Sequence, residues 1–221
     1  LPGRAHSTIL AAMDVFLASV LIGYVCGSIP TAVWVARRVG GFDIRKRGSG
    51  NAGATNVARV VGVRWGILVG VIDILKGFLP VLLLSRAAGA GFGFSAANAG
   101  LLIGIAAILG HMFPLLAGFK GGKGVLTALG VFGALLPLEA GLGALVWAIV
   151  FAATRIVSLG SIVACLAFVA AVLIRRYLLD APHPSTVVIA VLLVAALVIY
   201  MHRSNIVRLL RGDEKKFGAP R

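Results

Sequence analysis

Long apolar runs separated by short polar segments make up nearly all of the 221-residue chain. A helix needs roughly 20 apolar residues to cross about 30 Å of hydrocarbon. The pattern predicts a first span over residues 13–36, ending at Arg37-Arg38 and kinked or broken at Gly27-Ser28-Ile29-Pro30. A polar segment over 37–64 follows. Spans are predicted over 65–84 and 96–117, with a short glycine-rich loop at about 86–95. Residues 124–154 form one apolar stretch interrupted by Pro137 and Glu139, too long for one ordinary crossing and short for two. Spans over about 157–174 and 184–200 lead into a basic tail from His202.

Composition makes this an all-α integral membrane protein of one domain, residues 13–221. It is 60% hydrophobic and 13% charged, with mean hydropathy +1.04. Residues 1–12 read as a cloning remnant or an extended N-terminus, with Met13 a plausible native start. The first apolar run lacks the pattern of a cleaved signal peptide and is read as a retained span. The net charge of +14 suits anionic headgroups on the cytoplasmic face better than nucleic acid. If residues 124–154 fold as a short hairpin, there are seven spans. The first polar segment, the loop at 120–124, the turn at Arg155 and the tail then share one face with 16 Lys and Arg, against 4 on the other. That bias places the N-terminus outside and the C-terminus in the cytoplasm; six spans would part the tail from both loops. Cys26 and Cys165 fall within predicted spans as packing residues, and neither a metal-ligand spacing nor a disulfide framework is apparent.

Two glycine-rich basic segments lie between spans: Gly48-Ser49-Gly50-Asn51-Ala52-Gly53-Ala54-Thr55-Asn56, and Lys120-Gly121-Gly122-Lys123-Gly124. Glycines let backbone N–H groups close on an anion, and Ser49, Asn51, Thr55, Asn56 and Arg59 add donors. In the second, Lys120 and Lys123 supply point charges ahead of an apolar helix whose first amides face an anion. It is not a Walker loop, because Gly124 stands where Ser or Thr is required and Ala117 where the first glycine belongs. Each segment also has a plainer reading, as a flexible linker or a positive-inside loop. In the tail, Ile206, Leu209 and Leu210 form a narrow apolar stripe at helical spacing, which suits a basic amphipathic helix on the membrane surface. His202 and Asn205 share a face where the last span leaves the bilayer. Asp73 and Lys76, three apart inside a span, read as an ion pair or as lining the site. Neither a Ser-His-Asp arrangement nor a His followed five positions later by Asp is recognisable. Group transfer would therefore rely on an activated donor, with the protein positioning it and stabilising charge.

These segments resemble the bacterial membrane acyl-phosphate:glycerol-3-phosphate acyltransferase family. Gly27 to Pro30 and Asp43-Ile44-Arg45 resemble the run-in to its first motif, and Gly48 to Asn56 the motif itself. Gly110-His111-Met112-Phe113-Pro114 with Phe119 to Gly124 resembles the second. His202, Arg203, Asn205, Ile206, Arg208, Leu209, Gly212 and Glu214 resemble the third. Val125-Leu126-Thr127 departs slightly from the family's usual Val-Ala-Thr. The resemblance implies acyl transfer from acyl phosphate to the 1-hydroxyl of glycerol 3-phosphate, in the bacterial inner membrane with a cytoplasm-facing site; no cofactor and no metal-ligating residue is assigned. It implies catalytic parts for Ser49, Arg59, Lys123, His202 and Asn205. Substrate binding falls to Gly48, Gly50, Asn51, Gly53, Thr55, Asn56, His111, Lys120, Gly121, Gly122, Gly124 and Glu214. Ser49, Thr55 and Arg59 are expected to hold the acyl phosphate, and Lys120, Lys123 and the glycines between them glycerol 3-phosphate. His202 and Asn205 are expected to orient the acceptor or polarise the acyl carbonyl. Partners are the two substrates and membrane lipids, with a monomeric chain. A transporter of phosphate or organic phosphate, and a non-enzymatic scaffold with a lipid-binding basic face, are the competing readings.

Overall fold

Pro30 has no amide hydrogen and biases Ile29 away from helix, which favours a break in the first apolar run. In the computed structural model, which describes residues 2–90, 95–180 and 183–218, that run divides into α1 (Pro2–Gly27) and α2 (Thr31–Gly40). Residues 2–12 continue α1 upstream of Met13. α2 buries Thr31, Ala32, Val33 and Ala36 and stops at Gly41, whose φ of 72° closes the turn after Arg37 and Arg38. A short 3-10 turn at Ile44–Lys46 and the small helix α3 (Ala54–Val60) follow.

The described chain is otherwise helical: α4 (Val63–Ala90), α5 (Ala96–Met112), α6 (Val125–Leu135), α7 (Pro137–Thr154), α8 (Val157–Tyr177), α9 (Ser185–Met201) and α10 (Arg203–Leu210). Among the described residues, five helical stretches are long and apolar enough to cross a membrane. A sixth counts if α9 and α10, bent by 58°, are taken together. The hairpin expected over 124–154 exists, but its halves are unequal. α6 has 11 residues, about 16 Å at the helical rise, and is shorter than a crossing. α7 has 18 residues and is long enough alone. α4 runs on to Ala90 instead of ending near 84, so 86–90 are helix and not loop. The expected loop at 91–94 lies outside the described residues.

The main core joins α4, α5, α6 and α9 through residues such as Val81, Ile103, Ile108, Val131 and Val191. A smaller cluster, with Val33, Ala36, Ile44, Val57 and Val69, seats α2 and α3 against α4. At the α4–α6 crossing, a side chain on Gly77 would overlap the Thr127 carbonyl, and one on Gly130 the Ile74 carbonyl. Small residues allow backbones to approach this closely where helices associate without a hydrophobic driving force. At one end of α7–α9, buried Glu139 Oε1 accepts from Arg175 Nη1 and pairs with His183 Nε2, both at 2.7 Å. At the opposite end, the two glycine segments, the turn at Arg155 and the tail come together, as the charge distribution anticipates.

Candidate active site

Buried Asn56 folds the first glycine segment. Its amide nitrogen donates to the Ile44, Arg47 and Asn51 carbonyls at 3.0–3.2 Å, and its oxygen accepts from the Ser49 N–H at 2.9 Å. Asn56 is thus committed to the loop instead of facing a ligand. Gly48 sits at φ 62° against the Asn56 amide, where only glycine fits. Gly50 has φ 73°, and Gly53 caps α3 just before Thr55. Ser49 is exposed, while Asn51 and Thr55 are half-buried. Asp43 caps the 3-10 turn and binds Arg45 at 2.6 Å. Arg45 holds that carboxyl well below the usual carboxylate range. The same guanidinium donates to the Ala117 carbonyl at 2.6 Å and so ties the first segment to the approach of the second.

The second segment is pinned to the end of α5. Gly121 and Gly122 donate backbone N–H groups to the Met112 and His111 carbonyls at 3.2 Å. A side chain on Gly122 would collide with the His111 imidazole and meet the Ala52 carbonyl, so the two segments touch there. Buried His111 packs against the loop, and its Nδ1 lies 3.6 Å from Asp73. Lys120 is exposed, and Gly124 at φ 81° turns the chain into α6.

Lys123 joins the tail. Its ammonium binds Asn205 Oδ1, and Asn205 Nδ2 donates to Glu214 Oε1 at 2.6 Å. Asn205 therefore bridges the loop and Glu214. Glu214 also accepts from Ser158 Oγ at 2.7 Å and from Arg208 Nε at 2.6 Å. Burial alone raises the Glu214 carboxyl, but these hydrogen bonds outweigh it and hold it below its usual range. Gly212, at φ 76°, reverses the tail after α10 and makes this return possible. Arg59 reaches the tail from α3, donating to the Lys215 carbonyl at 3.2 Å within the field of Glu214 and Arg208. Burial pushes the Lys123 ammonium down to about 8; Glu214 opposes the shift, while Arg208 and Arg59 add to it. Buried His202 caps α9 with Nδ1 2.8 Å from the Val198 carbonyl. A carbonyl only accepts, so Nδ1 carries the hydrogen and Nε2 keeps a lone pair. Burial, reinforced by Lys123, lowers His202 to about 4, which makes it neutral near pH 7.

The structure thus gathers Arg59, Lys123, His202, Asn205 and Glu214. Among the described residues, Ser49, Asn51 and Thr55 make no hydrogen bond to that cluster. Sequence reasoning gave no task to Arg208 and did not single out Ser158. The one available signal was the Arg208–Glu214 spacing across Gly212, which suits a turn that closes an ion pair.

An apolar cavity of about 260 Å³ opens between α6, α7, α8 and α9. Val125, Ser161 and Val198 line it nearest the polar cluster, each a helical turn or less from Lys123, Ser158 or His202. Phe132 and Phe168, with ring centroids 4.8 Å apart, stand two helical turns deeper. A basic, hydrogen-bonded cluster beside one end of an apolar cavity in a helical membrane protein defines a class: a membrane protein that handles amphiphiles with an anionic head and an apolar tail.

The comparisons narrow that class. The family profile described as glycerol-3-phosphate acyltransferase matches residues 17–212. The chain is 43% identical over 199 residues to the glycerol-3-phosphate acyltransferase of Aquifex aeolicus, covering 90% of this chain and 97% of that one. It is 45% identical to the enzyme of Anaeromyxobacter dehalogenans, with the same coverage. A crystal structure of PlsY, an integral membrane glycerol 3-phosphate acyltransferase in its glycerol 3-phosphate form, superposes with a TM-score of 0.77 at 42% identity. It covers 92% of this chain and 96% of that one. The lysophosphatidic acid form of PlsY gives 0.75 at 41%, over 92% and 95%. The chain belongs to the glycerol-3-phosphate acyltransferase family and is an integral membrane acyltransferase.

Proposed function

We propose that this protein transfers a fatty acyl group from acyl phosphate to the 1-hydroxyl of glycerol 3-phosphate, giving lysophosphatidic acid and inorganic phosphate. This is the first acylation of bacterial phospholipid synthesis. The observation that carries the reading is the position of the Lys123–Asn205–Glu214 cluster beside one end of the apolar cavity. The headgroups meet at the basic cluster while the acyl tail lies among α6–α9. The transporter reading has its sites at broken helices near the bilayer midplane; here the polar cluster lies at helix ends.

Glycerol 3-phosphate binds through Lys123, Lys120 and the Gly121–Gly122 backbone. Arg59, placed beside Lys123 by α3, serves the same phosphate and borders the acyl phosphate held by Ser49, Thr55 and the first segment's glycines. His202 Nε2 accepts from the acceptor hydroxyl and orients it. The hydroxyl oxygen attacks the acyl carbon, the bond from that carbon to the phosphate oxygen breaks, and the departing phosphate takes the hydroxyl proton. Acyl phosphate is a mixed anhydride with a good leaving group, so no protein nucleophile is required. The chain acts as a monomer in the bacterial inner membrane with seven membrane-embedded segments, of which α6 is too short to cross a full hydrocarbon layer. Its N-terminus lies outside, and its C-terminus and active site face the cytoplasm.

The test is incubation of purified protein with acyl phosphate and labelled glycerol 3-phosphate, with acyl-CoA and acyl carrier protein thioesters as rival donors and Ser49→Ala as the blank. Lipid product from acyl phosphate alone, absent in the blank, is expected. Product from a thioester instead, or no product from a folded preparation, would reject the proposal.

A further inference from the structure

Asp73 and Lys76 form an ion pair of 2.8 Å inside α4, each side chain 4% exposed or less. The reaction described above uses neither. A buried pair that only neutralises itself adds little, since apolar residues of similar volume often serve as well. This pair also reaches outward in two directions. Lys76 Nζ donates to the Ile29 carbonyl at 3.1 Å, inside the break between α1 and α2. Asp73 Oδ1 faces His111 Nδ1 at 3.6 Å, an electrostatic contact just beyond hydrogen-bond length. His111 in turn accepts the Gly122 N–H and lays its ring against Gly122. A small cavity is lined by Asp73, Lys76 and His111 on one side and Lys120, Gly121 and Gly122 on the other.

We propose that Asp73 is a positioning residue for the Lys-Gly-Gly-Lys-Gly loop. With Lys76 it fixes the Ile29 corner and His111, and His111 holds the Gly121–Gly122 backbone from which Lys120 and Lys123 reach phosphate. The inference rests on the reading that this loop binds glycerol 3-phosphate. An apolar pair at 73 and 76 would satisfy the membrane but would leave the His111 ring and the Ile29 carbonyl without these partners.

The test uses the full chain in detergent or nanodiscs. Asp73→Leu with Lys76→Met removes both charges together and leaves no unpaired one. Asp73→Asn, which keeps an acceptor oxygen, is the milder variant should the double variant fail to fold. Positioning predicts a KM for glycerol 3-phosphate raised at least about tenfold in the double variant and less in Asp73→Asn, with the acyl-phosphate KM within about threefold. It also predicts faster amide hydrogen exchange at residues 119–124. A merely structural pair predicts lower thermal stability with KM and loop exchange unchanged, and that result would overturn the proposal. Lys123→Ala separates the underlying reading. If it leaves glycerol 3-phosphate affinity intact, the loop assignment fails. If it abolishes affinity while folded Asp73 variants bind as wild type, the positioning inference alone fails.

Discussion

Glu214→Gln is the most informative single change at the site, because it keeps the shape and removes one charge. The carboxylate accepts from Ser158 and Asn205 on one oxygen and from Arg208 on the other, with 7% of its side chain exposed. A glutamine that keeps its carbonyl toward Ser158 and Asn205 turns its NH2 on the Arg208 donor. One charge-assisted hydrogen bond is lost, which is about 1.5–3 kcal/mol when buried. Arg208 is 38% exposed, so water recovers part of that. The remainder, about 1–2 kcal/mol, is a loss of folded-state stability, read by thermal unfolding in detergent. The charge has a second effect. Glu214 holds the Lys123 ammonium up against burial, so Lys123, at about 8 in the wild type, moves lower in the variant. On the proposal that Lys123 binds the phosphate in its charged form, kcat/KM for glycerol 3-phosphate should fall as pH rises through the Lys123 value. The wild-type profile should break near pH 8, and the Glu214→Gln profile at lower pH, so the variant's deficit in kcat/KM grows with pH. The assay is initial rates at saturating acyl phosphate between about pH 6 and 9. A deficit that is constant with pH, or a break that moves upward, would refute the coupling. Lys123→Arg should lose the break in whatever activity remains, because a guanidinium does not titrate in this range.

Phe132→Ala should extend the deep end of the apolar cavity and shift donor preference toward longer acyl chains, by about fourfold for each methylene newly buried, read from kcat/KM across a series of acyl phosphates. Glu139→Ala should cost about 1–3 kcal/mol by removing the acceptor of Arg175 and His183 at the far end of α7–α9, measured by thermal unfolding in detergent. Activity per folded molecule should hold, since the cluster lies at the end away from the polar site. Gly130→Val should destabilise by about 1–3 kcal/mol through overlap with the Ile74 carbonyl; an unchanged unfolding temperature would contradict the tight α4–α6 crossing.

The helical membrane architecture was legible because the apolar runs are long and Pro30 and Pro137 mark real breaks. Pattern alone did not show where helices end inside the membrane. The glycines near residue 90 read as a loop, yet α4 continues to Ala90. A bilayer offers no water to a freed backbone group, so helix persists where a soluble chain would unravel. The unequal hairpin was hidden for a related reason: Leu136 starts a new helix just after α6 ends, and hydropathy does not register the change of direction. At the site, the two glycine segments and the His202–Asn205 face could be read from composition and spacing. Asn56 looked like a ligand donor because its hydrogen bonds to four backbone groups exist only once the loop is folded. Ser158 carried no local signal, since its partner Glu214 is brought to it by the reversal at Gly212. Asp73 and Lys76 were visible as a pair, but their links to Ile29 and His111 arise from the packing of α1 and α5 on α4.

That reversal also bears on biogenesis. Asn205, Arg208 and Glu214 follow α9 in the chain, yet Lys123 and Ser158 wait for them to complete their hydrogen bonds. A chain halted after α8 already carries both glycine segments and three walls of the apolar cavity, but lacks the residues that organise its cations. Those residues reach them only when α9 is in place and the tail has folded back onto α3 and the Arg155 turn. On the proposed reading of the site, a chain halted after α8 should therefore be inactive.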